Sequence, residues 1–182
     1  MTEVYLLTGS PGAGKTTVIR RAIAESSVRG GGFYTEEIRS SGIRQGFRVT
    51  TLDGKNAILA HVDISGPHKV GKYGIDIDNL DRVGTFAIHR AIEESDLIVI
   101  DEIGKMELFS HRFKEAVLQA INSDKKVLGT IMLSPHPFAD EIKSRSKVQV
   151  TQISRANRDN ALQEIISWLK STIDENKPHA NR

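Results

Sequence analysis

The first apolar run of the chain is Val4 to Leu7, and Val18, Ile19, Ala22 and Ile23 follow at helical spacing within Thr17 to Ala24. A glycine-rich segment separates the two, so the chain opens as strand, turn and helix. Phe33 to Arg39 predicts a second strand, entered through a break at Gly30-Gly31-Gly32. Ile43 to Thr51 and Ala57 to His61 are two further extended runs, bounded by Ser40-Ser41-Gly42 and Asp53-Gly54. Asp-Gly between extended runs is a hairpin signal, and residues 33–61 therefore read as an antiparallel meander. Residues 62–77, rich in glycine and proline, read as an irregular surface loop.

Helical spacing resumes from Asp78, carried by Phe86, Ile88, Ala91 and Ile92. Leu97-Ile98-Val99-Ile100 is an unbroken apolar run, the pattern of a strand covered on both faces of a parallel sheet. Phe113, Ala116, Val117, Ala120 and Ile121 mark one helix face. Val127 to Met132 predicts another strand, Phe138 to Lys143 a short helix and Val148 to Ile153 a last strand. The closing helix carries Leu162, Ile165, Ile166, Leu169 and Ile173 on one stripe with Trp168 at its edge, which is core packing. Strands alternating with helices predict an α/β fold: a mostly parallel twisted sheet, helices on both faces, and the meander at one edge. The expected organisation is one domain over residues 1–174, with the meander inserted at 33–61 and a polar tail at 175–182.

The 182 residues suffice for one domain with a real core. The 25 Lys and Arg against 23 Asp and Glu leave a net charge of +2 with no basic block, so no nucleic-acid partner is expected. The absence of cysteine excludes disulfides, thiolate metal sites and cysteine nucleophiles. The opening MTEVYLLTGS does not read as a secretory signal, and no apolar run reaches the roughly 18 residues of a membrane span. A cytoplasmic protein without membrane partners is the expectation.

Chemistry enters with TGSPGAGKTT, Thr8 to Thr17. Gly9, four residues, then Gly14-Lys15-Thr16 is the spacing of a phosphate-binding loop. Glycines at 9, 12 and 14 permit turns that let backbone N–H groups converge on one anion, and the following helix adds its positive end. Lys15 can reach the β- and γ-phosphates, and the Thr16 hydroxyl can ligate Mg²⁺. Thr17 either touches the α-phosphate or simply opens the helix. A triphosphate loop needs a metal partner, and Asp101 stands at the end of the buried run, where open α/β sheets place ligands. Its neighbour Glu102 can polarise a water for in-line attack on the γ-phosphate, so Lys15 and Glu102 are the candidate catalytic residues. Thr130, ending the next strand, can bond that water or the phosphate.

Roles for Glu36, Arg39 and Lys105 are open between the active face and plain solvent exposure. Arg155 and Arg158, after the last strand, sit either beside a nucleotide base or in solvent. The six histidines show no metal-ligand spacing.

TGSPGAGKTT, GGFYTEEIR with the following GFRVTTLDGKNAILA, and LIVIDEIGKMEL together resemble the THEP-type nucleoside-triphosphatases, small P-loop enzymes. HPFADEIK and Asn157-Arg158-Asp159 extend the similarity over nearly the whole chain. The resemblance implies a RecA-like P-loop domain with core strand order 5-1-4-3-2, the metal strand third and Thr130 ending the fourth. It implies Mg²⁺-dependent hydrolysis of ATP, GTP and other nucleoside triphosphates. By the same resemblance, nucleotide contacts map to Gly9, Ser10, Pro11, Gly12, Ala13, Gly14, Lys15 and Thr16, and to Asp101, Glu102, Ile103, Gly104, Lys105, Met106, Glu107 and Leu108. Two other readings share the loop: a kinase for a nucleoside, nucleotide or RNA end, with Lys143, Arg145 and Lys147 as candidate lid cations, and a nucleotide-dependent switch.

Overall fold

The computed structural model describes residues 3–175. Strand β1 (Val4–Thr8) leads through the glycine-rich loop into helix α1 (Lys15–Ser26). Five strands follow: β2 (Gly30–Ser40), β3 (Ile43–Thr51), β4 (Asn56–His61), β5 (Lys69–Val70) and β6 (Tyr73–Ile75). Helix α2 (Ile77–Asn79) runs through a π-helical turn at Leu80–Thr85 into α3 (Phe86–Glu94). Then come β7 (Leu97–Ile103), a 3₁₀ turn at Glu107–Phe109, α4 (His111–Asn122), β8 (Lys126–Ile131), α5 (Pro137–Lys143), β9 (Val148–Gln152) and α6 (Arg158–Glu175).

All nine strands form one sheet in the order β5-β6-β4-β3-β2-β7-β8-β1-β9. From β2 to β9 the pairing is parallel, and from β2 outward to β5 it is antiparallel. Counting only the parallel strands along the chain, the order is 5-1-4-3-2, as the resemblance implied. Strand β7 sends Ile98 and Ile100 into one core, with Phe33, Phe113 and Val117, and Leu97 and Val99 into the other, with Ile19, Leu162 and Ile165. Alternate residues of a strand face opposite sides, so the apolar run of four fills both layers. Each fully buried Leu or Ile contributes about 1.5–3 kcal/mol relative to exposure.

Three expectations are corrected. Gly30-Gly31-Gly32 is not a break but the first part of β2, paired in parallel with β7 from Gly30↔Leu97 to Phe33↔Ile100. A Cβ on Gly31 would lie 2.5 Å from Ser95 Oγ and 2.9 Å from the Ala91 Cβ, so the bare strand lets α3 pack directly on it. Residues 62–77 are not wholly irregular: β5 and β6 form a hairpin that adds to β4 through Ala60↔Ile75 and His61↔Gly74. The turn between them uses Gly71 at φ +56°, a left-handed conformation that favours glycine. Phe86 does not join the buried face of its helix; it is exposed, because it stands two residues, over half a turn, from the buried Ile88. The expected tail at 175–182 lies outside the described residues beyond Glu175.

Candidate active site

Between β1 and α1 the loop turns on three glycines with positive φ: Gly9 at 143°, Gly12 at 77° and Gly14 at 96°. L-residues adopt these angles only with strain. A Cβ on Gly9 would also come within 2.6 Å of the Ile153 carbonyl oxygen, so the loop rests directly on the end of β9. Helix α1 has no side-chain cap and no acidic residue in its first turn. Its leading N–H groups and positive dipole end are therefore left to an anion. Lys15 Nζ donates to the carbonyls of Gly9 at 2.7 Å and Ser10 at 3.1 Å, which folds the ammonium back over this cradle. Ser10, Pro11, Gly12 and Thr17 are exposed, and Ala13, Gly14, Lys15 and Thr16 half-buried.

Asp101 is the hub opposite the loop. Its Oδ2 accepts from the Thr16 hydroxyl at 2.6 Å and its Oδ1 from the buried Thr130 hydroxyl at 2.6 Å. Thr35 on β2 donates its hydroxyl to the Asp101 carbonyl at 2.7 Å. Burial pushes the Asp101 carboxyl upward from the ordinary carboxylate range, and the bonds from Thr130 and Thr16 and the charge of Lys15 oppose it. The Asp101–Glu102 peptide is cis, and the pairing of β7 with β8 shifts register between Ile100 and Ile103.

Glu102 is half-buried next to that hub. Burial, and then the negative charge of Asp101, raise its pKa, while Lys15 lowers it. Gly104 packs against this carboxylate, for a Cβ there would stand 3.0 Å from both Cγ and Cδ of Glu102 and nearer still to Oε1. Glu107 is 4% exposed. Its pKa is raised well above the ordinary value, first by burial and next by the charge of Glu102, against lowering bonds from the amides of Glu107 and Gly104. A half-buried and a buried carboxyl thus flank Gly104. Of the rest of the segment, Ile103 and Leu108 are buried, Met106 is half-buried, and Lys105 is exposed.

The structure thus brings together Lys15, Thr16, Asp101, Glu102 and Thr130. Glu36 reaches the rim, where it pairs with Arg20 of α1 at 2.5 Å and accepts from Thr50 at 2.8 Å; Arg20 lies 4.5 Å over the Tyr34 ring. Arg39 is engaged by Glu37 at 2.6 Å and by the Gly42 carbonyl at 2.8 Å, which ties it to the β2–β3 turn. Sequence reasoning passed over Thr35, Arg20 and the burial of Glu107. Thr35 and Arg20 had a signal, since GFYTEEIR was singled out and Arg20 stands four residues after Thr16 on one helix face.

The donor set suits a hard divalent cation: Thr16 Oγ and the Asp101 carboxylate are oxygens already brought together. Among the described residues no three His, Cys, Asp or Glu side chains converge as a metal cage. An ion here would take its remaining ligands from phosphate oxygens and water.

A strand–loop–helix amide cradle, its lysine, and a facing carboxylate on the third strand of a 5-1-4-3-2 sheet define a P-loop protein of the nucleotide-binding α/β class. The NTPase family model matches residues 4–166, and the chain belongs to this nucleoside-triphosphatase family. It is 46% identical over 165 residues to the nucleoside-triphosphatase THEP1 of Thermotoga sp. (strain RQ2), covering 91% of this chain and 94% of that one. It is 37% identical over 188 residues to the cancer-related nucleoside-triphosphatase of Homo sapiens, covering 94% and 99%. Among solved structures, THEP1 from the hyperthermophile Aquifex aeolicus superposes with a TM-score of 0.84 at 34% identity, covering 92% of this chain and 99% of that one. No helix among the described residues is long and apolar enough to cross a membrane.

Proposed function

We propose that the chain is a Mg²⁺-dependent nucleoside-triphosphatase that converts ATP, GTP and other nucleoside triphosphates to the diphosphate and orthophosphate, and that it works in the cytoplasm. The relatives' names support the hydrolase class. The observation that carries the mechanism is the constellation of Lys15, Thr16, Asp101 and Glu102 at one end of the parallel strands. Mg²⁺ held by Thr16 and Asp101 would neutralise phosphate charge and orient the β- and γ-groups. The loop amides and Lys15 bind the phosphates and stabilise charge that develops as the bond between the γ-phosphorus and the β–γ bridging oxygen lengthens. Glu102 takes a proton from water as its oxygen attacks the γ-phosphorus; the bridging bond breaks and the diphosphate leaves with the electron pair. A carboxylate with a raised pKa is a stronger base for that transfer, provided it is ionised at the working pH.

The candidate lid cations of a kinase are engaged elsewhere. Lys143 pairs with Asp140, Arg145 with Glu141 and Asn122, and Lys147 with Glu3. Helix α5 is anchored by the buried Ala139 and Ile142 and packs on β9. These ties weigh against a water-excluding lid. The test is product analysis with each triphosphate, with and without nucleoside or nucleotide acceptors. Phosphate release without an acceptor is expected, falling at least a hundredfold in Glu102→Gln with nucleotide binding retained, about the contribution of a positioned base. Full activity in that variant would remove Glu102 from the mechanism, and acceptor-dependent turnover would replace hydrolase by kinase.

A further inference from the structure

The sheet order fixes the direction in which a bound triphosphate lies. Asp101 and Glu102 lie in the last three residues of β7, two places from β1 on one side, while β9 adjoins β1 on the other. With the terminal phosphate on the Asp101 side of the loop, the nucleoside emerges on the β9 side. Residues 153–158 build that side. Asn157 folds them into a turn: its Oδ1 accepts from the Ser154 amide at 2.8 Å, and its Nδ2 donates to the Gln152 carbonyl at 2.8 Å. The turn sets Arg158, the first residue of α6, over the phosphate loop. Its Cδ and Nη1 lie 3.8 Å from the place of a Cβ on Gly14.

Nothing in the fold itself accounts for that cation. It is exposed, and among the described residues its guanidinium has no hydrogen-bond or ion-pair partner. It also stands at a helix N-terminus, where the dipole disfavours positive charge. Resting on the triphosphatase reading, we propose that Arg158 is the nucleoside platform, its flat guanidinium stacking on the base of the bound nucleotide. A guanidinium stacks on any π-face and in that geometry reads no base edge, so purine and pyrimidine triphosphates are both substrates.

The test compares affinities, with Mg²⁺, of the unaltered protein, Arg158→Ala and Arg158→Lys for β,γ-imido ATP, β,γ-imido UTP and inorganic tripolyphosphate, by calorimetry. Arg158→Ala is expected to weaken both nucleotides by about two- to fivefold, the scale of an exposed cation–π contact, and to leave tripolyphosphate bound as before. Arg158→Lys, which keeps the charge but not the plane, restores less than half of the lost binding free energy. Parallel weakening of tripolyphosphate would make the arginine a phosphate clamp and overturn the platform, as would unchanged nucleotide affinity. Failure of the parent reading is separate: the unaltered protein would then release no phosphate from ATP or UTP, whatever these affinities.

Discussion

Gly104→Ala isolates the position of one carboxylate from its chemistry. The backbone at Gly104 lies outside the left-handed region, so alanine meets no conformational barrier there. The new methyl would stand 3.0 Å from Cγ and Cδ of Glu102, whereas carbon atoms rest at about 3.5–4.0 Å, so the carboxylate must retreat by about 1 Å. The obstructing atoms are the end of a flexible side chain, which can move at little cost to the fold. A displacement of about 1 Å at a reacting group costs roughly a hundredfold in rate. Steady-state phosphate release should therefore show kcat down by about two orders of magnitude. Nucleotide affinity should hold, and Tm should stay within a few degrees of the unaltered protein. A kcat within threefold of the unaltered value would mean that Glu102 is not held by Gly104, or is not the base.

Two further predictions concern pH. Hydrolysis should lose rate on the acid side above the ordinary glutamate range, because burial and Asp101 raise the pKa of a base that must be ionised to act; a pH profile of kcat in which Glu102→Asp moves this limb would support the assignment, and a limb near pH 4 would refute it. Glu107 has a folded-state pKa raised well above its unfolded value of 4.5, so the native state binds the extra proton. Its contribution is fully present below 4.5 and is lost as pH rises through the folded value, so Tm should fall over that window in the unaltered protein. Thermal melts across pH should show this slope flattened in Glu107→Gln, and an unchanged slope would reject the buried acid as its source.

The phosphate loop was legible in the chain because its chemistry is local: three glycines, a lysine and a threonine between a strand and a helix specify the cradle without help from afar. Asp101 was legible for a related reason, since an apolar run buried on both faces announces where its strand ends. Thr130 was found at the end of the next strand, but its bond to Asp101 depends on β7 and β8 being neighbours. The rest depended on tertiary contact. Gly30 to Gly32 looked like punctuation because the helix that packs on them lies about sixty residues downstream. The β5–β6 hairpin has too few residues to show periodicity and exists by pairing with β4. Glu107 carries a charge that argues for solvent, and only the packed loop removes it from water. The nearness of Arg158 to Gly14 follows from β9 adjoining β1, which no local pattern states.

The two oxygens of Asp101 have different fates open to them. Oδ1 is locked to a hydroxyl with no access to solvent, while Oδ2 is locked to one at the mouth of the loop. Under the proposed triphosphatase reading, a cation arriving with its nucleotide would claim Oδ2 as a single Thr16 hydroxyl proton turns aside. The carboxylate is held at its other end from within the sheet, so on that reading its readiness for the ion would be established when the chain folds and not when the ligand comes.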